Sequence, residues 1–189
     1  MASFIFLAGP KHSGKTSVGR ELANLLVIPF YDLDQLIEEH AGKNIRELYQ
    51  TSENLFQQEE TAALEIALQK KAVNEKNRGV VLALSGSIID NPGAMAVLKK
   101  VLQESEGHCV VCLEVSAGTA WQRIVSQGEL PPFLKAETAE ASREKHRLLH
   151  ERRAKGYKKI ASFSILAEEK GAATLAAEMA ALLAEKLKQ

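Results

Sequence analysis

Five short apolar runs punctuate the chain, at 3–8, 27–31, 80–85, 109–115 and 162–166. Each is nearly unbroken instead of alternating, the pattern of a parallel strand covered on both faces. Between them, apolar residues recur at intervals of three and four, which predicts helices with one buried face. Residues 15–26 carry Val18, Leu22, Leu25 and Leu26 on one such face, and 53–74 carry Phe56, Ala63, Leu64 and Ala67 with Leu68 nearby. Residues 93–104 repeat the pattern with Val97, Leu98, Val101 and Leu102, and 172–188 with Leu175, Met179, Leu182, Leu183 and Leu187. Further helices are expected over 117–126, where Trp121 serves core or nucleotide-proximal packing, and in a strongly charged stretch from Ser142 to Lys159. Strands alternating with helices imply right-handed crossovers and one parallel sheet, an α/β architecture. The rhythm breaks at 127–137, where Gly128, Pro131 and Pro132 cluster, and this reads as a lid over about 127–142.

A length of 189 residues suits one α/β domain across 1–189, and 46% hydrophobic with 25% charged residues is an ordinary globular composition. Lys plus Arg and Asp plus Glu both number 24, so no global field draws the chain to nucleic acid or membrane. Any anion affinity must be local. No apolar stretch approaches a membrane span, the apolar start lacks the basic region of a secretory signal, and only two cysteines are present, so a cytoplasmic home is expected; a monomer is expected as well. Cys109 and Cys112 match a C-x-x-C string, but on a strand residues three apart face opposite ways, which argues against a redox pair.

The first strand runs into Gly9, Pro10, Lys11, His12, Ser13, Gly14, Lys15 and Thr16, the pattern G-x-x-x-x-G-K-[ST], followed by Ser17. A polyphosphate wrapped by backbone N–H groups needs glycine where the chain turns tightly, and the helix that follows adds its dipole. Lys15 supplies a charge for the outer phosphates, Thr16 a hydroxyl for Mg²⁺, and His12 a spacer beside them. The second strand ends in Tyr31, Asp32, Leu33 and Asp34. Two carboxylates on the functional edge of the sheet suit a metal's water shell and a proton acceptor, although either could instead cap a helix from Gln35.

Through these residues and others, the chain resembles the shikimate kinase family over most of its length. The likeness includes Gly9 to Thr16, Asp32 to Asp34, Gly42 to Ile45, Phe56, Glu60, Ala83 to Ser87, and the spacing of Arg153 and Tyr157. It implies a three-layer α/β/α P-loop kinase with a five-stranded parallel sheet and a lid, working in aromatic amino acid biosynthesis. Such kinases move the γ-phosphoryl group of ATP to a ring hydroxyl of a cyclic acid, with Mg²⁺. By the resemblance Asp32 serves Mg²⁺, Asp34 engages the accepting hydroxyl, Arg153 grips the substrate carboxylate and Arg123 lies near adenine. Gly86 and Gln57 complete the acceptor site, within a helical segment over about 34–62 and the turn beyond it.

The departures fall in the acceptor half. The family's arginine after Phe56 is Gln57, and an amide cannot replace a charged bidentate fork. A glycine triplet has become Ser85, Gly86 and Ser87. Pro131 stands where a lid arginine would reach the transferred phosphates, and Ala154 to Tyr157 has lost the usual Pro-Leu. Arg46, Lys135, Arg143 and Arg152 are possible substitutes. The expected function is phosphorylation of shikimate or a related hydroxy acid. Gluconate, or nucleotide binding with impaired catalysis, is the alternative. His146 and His150 read as part of a solvated basic helix face, and the charges of that helix as a sensor of ATP phosphates.

Overall fold

Burial on both faces of the apolar runs follows from where they pair. The structure, a computed structural model, describes residues 3–73, 79–128 and 130–186; residue 74, Glu129 of the expected lid and Leu187 lie outside these. The strands are β1 (Ser3–Ala8), β2 (Phe30–Asp32), β3 (Gly79–Ala83), β4 (Cys109–Glu114) and β5 (Phe163–Leu166). They pair in parallel in the order β2-β3-β1-β4-β5. The helices are α1 (Lys15–Leu26), α2 (Leu33–Ala41), α3 (Ile45–Thr51), α4 (Glu53–Val73), α5 (Pro92–Glu104), α6 (Ala117–Ser126), α7 (Ala139–Ile160) and α8 (Ala172–Lys186).

Alternation along β1 divides the core. Phe4 and Phe6 face a cluster with α2, α4, α5 and Tyr157 of α7, whereas Ile5 and Leu7 face α1, α6 and α8. The result is three layers, α/β/α. Cys109 belongs to one cluster and Cys112 to the other, and both are buried free thiols. Among the described residues, no helix is long and apolar enough to cross a membrane.

Several boundaries differ from expectation. The run 27–31 is a strand only from Phe30, because Val27 adopts φ 53° and closes α1, donating its N–H to Ala23 and Asn24. That leaves Val27 86% exposed. Leu25 and Leu182 also lie off their helices' buried stripes and are exposed. α2 begins at Leu33 instead of Gln35, since Asp32 is its cap. α3 is a separate helix inside the expected helical segment 34–62, and Asn44 and Glu47 form a reciprocal capping box at its start, a signal readable three residues apart. The central position of β1, with β3 on one side and β4 on the other, puts its carboxyl end at the switch point where open α/β sheets bind ligands.

Candidate active site

The loop after β1 shows why it needs its glycines. Gly9 has φ +145°, and a Cβ there would stand 2.6 Å from the Leu113 carbonyl oxygen. Gly14 has φ 95° at the cap of α1, and His12 has φ 64°. The Ser13 N–H closes the turn on the Pro10 carbonyl at 3.2 Å. Lys15 is buried beneath, its ammonium donating to the Gly9 and Pro10 carbonyls at 3.0 and 2.9 Å. Burial lowers its pKa, while Asp34 and Asp32 pull it back up. The buried Ser13 hydroxyl has no hydrogen-bond partner among the described residues, and an unpaired donor in such a loop fits a phosphate oxygen.

Asp32 ends β2 and does two things. One oxygen accepts the Asp34 N–H at 3.0 Å and so caps α2; the other accepts the Thr16 hydroxyl at 2.5 Å. A hydroxyl and a carboxylate side by side form the oxygen donor set that Mg²⁺ prefers. Asp34 is half-buried, and its pKa is raised to about 6. Burial is the main cause, Lys15 opposes it, and Asp32 adds to it.

Two clefts meet here. The first, of about 460 Å³, runs along the loop past Lys15, Ser17, Gly86 and Arg123. The second, of about 610 Å³, opens toward α2 and α3 and includes Arg20, Arg46, Tyr49 and Phe133. Lys11, Thr16, Asp32 and Asp34 border both. Arg123 is fixed by donating to the carbonyls of His12 at 2.9 Å, Ala167 at 3.3 Å and Glu168 at 3.2 Å. Gly86 is clamped as well: the Tyr157 hydroxyl donates to its carbonyl at 2.6 Å, and a Cβ there would lie 3.0 Å from the Lys11 nitrogen.

Gln57 and Arg153 border neither cleft. Gln57 contributes its backbone carbonyl, which accepts from Asn91 at 2.7 Å and Thr61 at 2.8 Å. Arg153 donates through Nε to Asp90 at 2.8 Å, and Arg152 donates to the same oxygen at 2.8 Å. Arg153 lines a small cavity of about 30 Å³ behind Pro131 and Phe133, which also border the second cleft. Phe133 lies 5.5 Å from the ring of Tyr49, which stacks on Phe56 at 4.2 Å.

Glu60 organises this region. It is 0% exposed and accepts from the Ser85 hydroxyl, from Ser87 at 3.0 Å and from Asn91 at 2.8 Å. Burial raises its pKa, and these donors pull it down. The signal was present: Glu60 falls midway between Phe56 and Leu64, four residues from each, on the apolar stripe of α4.

One expectation about α7 needs correction. His146 and His150 are buried, His146 against Trp121 at 5.5 Å and His150 with Nε2 3.0 Å from the Val115 carbonyl. The helix stripe that faces α6 holds them, so they are not a solvated face. Four of its cations are held by carboxylates: Arg147 by Glu144 and Glu151, Lys158 by Glu114, and Arg152 and Arg153 by Asp90.

The family model described as shikimate kinase matches residues 11–184. The chain belongs to the shikimate kinase family. A shikimate kinase of Rhodococcus jostii is 30% identical over 186 residues, 98% of this chain and 100% of its own length. The solved structure of a shikimate kinase from Acinetobacter baumannii in complex with shikimate superposes with TM-score 0.79 at 28% identity, covering 98% of this chain and 94% of that one. A shikimate kinase from Aquifex aeolicus gives TM-score 0.71 at 26% identity, with 96% of each chain covered. Members of the family are ATP-dependent kinases that phosphorylate a hydroxyl group, and the chain is an enzyme of that class. The five-stranded α/β/α fold is that of the family's structures.

Proposed function

We propose that the chain transfers the γ-phosphoryl group of ATP to a hydroxyl of shikimate. The observation that carries this reading is the meeting of the two clefts at Thr16, Asp32 and Asp34. A donor held along the loop and an acceptor held against α2 and α3 would there be brought end to end. Positioning and charge neutralisation are most of what phosphoryl transfer requires.

In this reading the phosphates lie along Gly9, Pro10, Lys11, His12, Ser13, Gly14, Lys15, Thr16 and Ser17, with Arg123 at the far end of the nucleotide cleft. Thr16 and Asp32 would hold Mg²⁺, which would supply neutralisation of the phosphate charge. Asp34 accepts the proton of the attacking hydroxyl. A bond forms between the acceptor oxygen and the γ-phosphorus, the bond to the bridging β,γ-oxygen breaks, and ADP leaves with that electron pair. Arg153 holds the substrate carboxylate through its terminal nitrogens, oriented by its Nε donating to Asp90. Gln57 and Gly86 flank that end. Residues 34–62 form the acceptor segment and 127–142 the lid of one kinase domain over 1–189.

ADP release would be followed with Mg-ATP against shikimate, quinate and gluconate. Turnover is expected with shikimate. Turnover on another acid alone, or none on any acceptor despite ATP binding, would overturn the reading.

A further inference from the structure

The junction of the clefts is short of positive charge. The four residues that border both are Lys11, Thr16, Asp32 and Asp34, so Lys11 is the one cation among them. Every other cation nearby is committed to one side or to another partner. Lys15 borders the nucleotide cleft alone and donates to two loop carbonyls. Arg123 is spent on three backbone carbonyls, and Arg20 and Arg46 border only the acceptor cleft. Lys11 also lines the small cavity next to Arg153, so it stands where all three spaces converge.

Its root is fixed although its side chain is exposed. The Lys11 backbone packs against Gly86, which Tyr157 holds by its carbonyl. A long side chain on an anchored backbone can swing its ammonium between two clefts without moving the loop.

We propose that Lys11 is a second catalytic lysine of the phosphate loop, whose ammonium contacts the γ-phosphoryl group and follows it from ATP to the acceptor oxygen. The proposal deepens the kinase reading above and rests on it for the transfer step. In that step the phosphorus leaves the β,γ-bridging oxygen for the acceptor oxygen, the hydroxyl proton goes to Asp34, and ADP departs. Negative charge on the three transferred oxygens persists throughout, and a cation reaching both ends stabilises the midpoint most.

Lys11→Met and Lys11→Arg test this by two readouts. Binding of Mg-ADP and of a β,γ-imido ATP analogue is measured by calorimetry. Lys11→Met should weaken the analogue about tenfold more than ADP, because only the analogue has a γ-phosphate. In steady-state assays kcat should fall about 100-fold with little change in acceptor KM, and Lys11→Arg should recover most of it. Equal weakening of both nucleotides, or an unchanged kcat, would overturn the proposal. If the wild-type chain turns over no acceptor, the kinase reading fails on that result alone, and the contrast between analogue and ADP still decides the role of Lys11.

Discussion

Asp34 is a carboxyl group held against its own ionisation. Its pKa of about 6 against 3.8 in an unfolded chain means that the folded state binds the proton more tightly. Stability is therefore fully present below about pH 4 and is lost as pH rises to about 6, on the order of 3 kcal/mol. Asp34→Asn removes that cost, so thermal melts at pH 7.5 should show a higher midpoint for the variant without ligands. In the proposed reading the same change removes the proton acceptor, and kcat should fall by about 10² to 10⁴. A base with this pKa also predicts an acid limb near pH 6 in kcat/KM of the wild type, which a pH-rate profile would record. A variant that is less stable and fully active would contradict both statements.

At the scale of elements, α4 and α7 carry the part of the site that departs from the family pattern. Glu60 on α4 satisfies Ser85, Ser87 and Asn91 from the segment between β3 and α5. Glu60→Ala would leave these donors facing a hole, and urea unfolding should show a loss of roughly 2–4 kcal/mol. Glu60→Gln keeps the volume and one acceptor, so its loss should be smaller. On α7, Arg153 is aimed by Asp90 from the turn at Ile88–Asp90. Asp90→Asn weakens that aim without touching the phosphate loop. Acceptor KM should rise about tenfold with kcat nearly unchanged, the signature of lost ground-state binding.

Across the whole molecule, acid should loosen the fold. His12 and His146 have pKa values lowered from 6.5 to about 4, chiefly by burial, and His150 is lowered for the same reason. For a base this sign means that the unfolded chain binds the proton more readily. The stability it reflects is present above about pH 6.5 and is lost as pH falls to about 4. Asp34 and Glu60, raised by burial, work in the opposite direction, whereas Glu114, Glu144 and Glu168, lowered by their hydrogen-bond donors, act with the histidines. The melting midpoint should therefore fall between pH 6.5 and 4, and His146→Phe should flatten that dependence. An unchanged slope in the variant would place the acid sensitivity elsewhere.

By itself the sequence determined whatever depends on neighbours along the chain. The phosphate loop was legible because its glycines answer a local backbone demand, seen at Gly9 and Gly14. The strands were legible because burial on both faces leaves an unbroken apolar run. Asp32 and Asp34 followed from their place after a strand, although only the structure assigned the cap to Asp32. The capping box of α3 could have been read and was not. Tertiary structure decided which charges meet across long separations. Glu60 finds its partners 25 to 31 residues away, and Arg153 finds Asp90 at a separation of 63. Periodicity marks a face as buried but cannot say what lies opposite it, so His146 and His150 were misplaced. The same limit hid Lys11: its motif position marks it for phosphate, and only the joining of the two clefts makes it the cation between donor and acceptor.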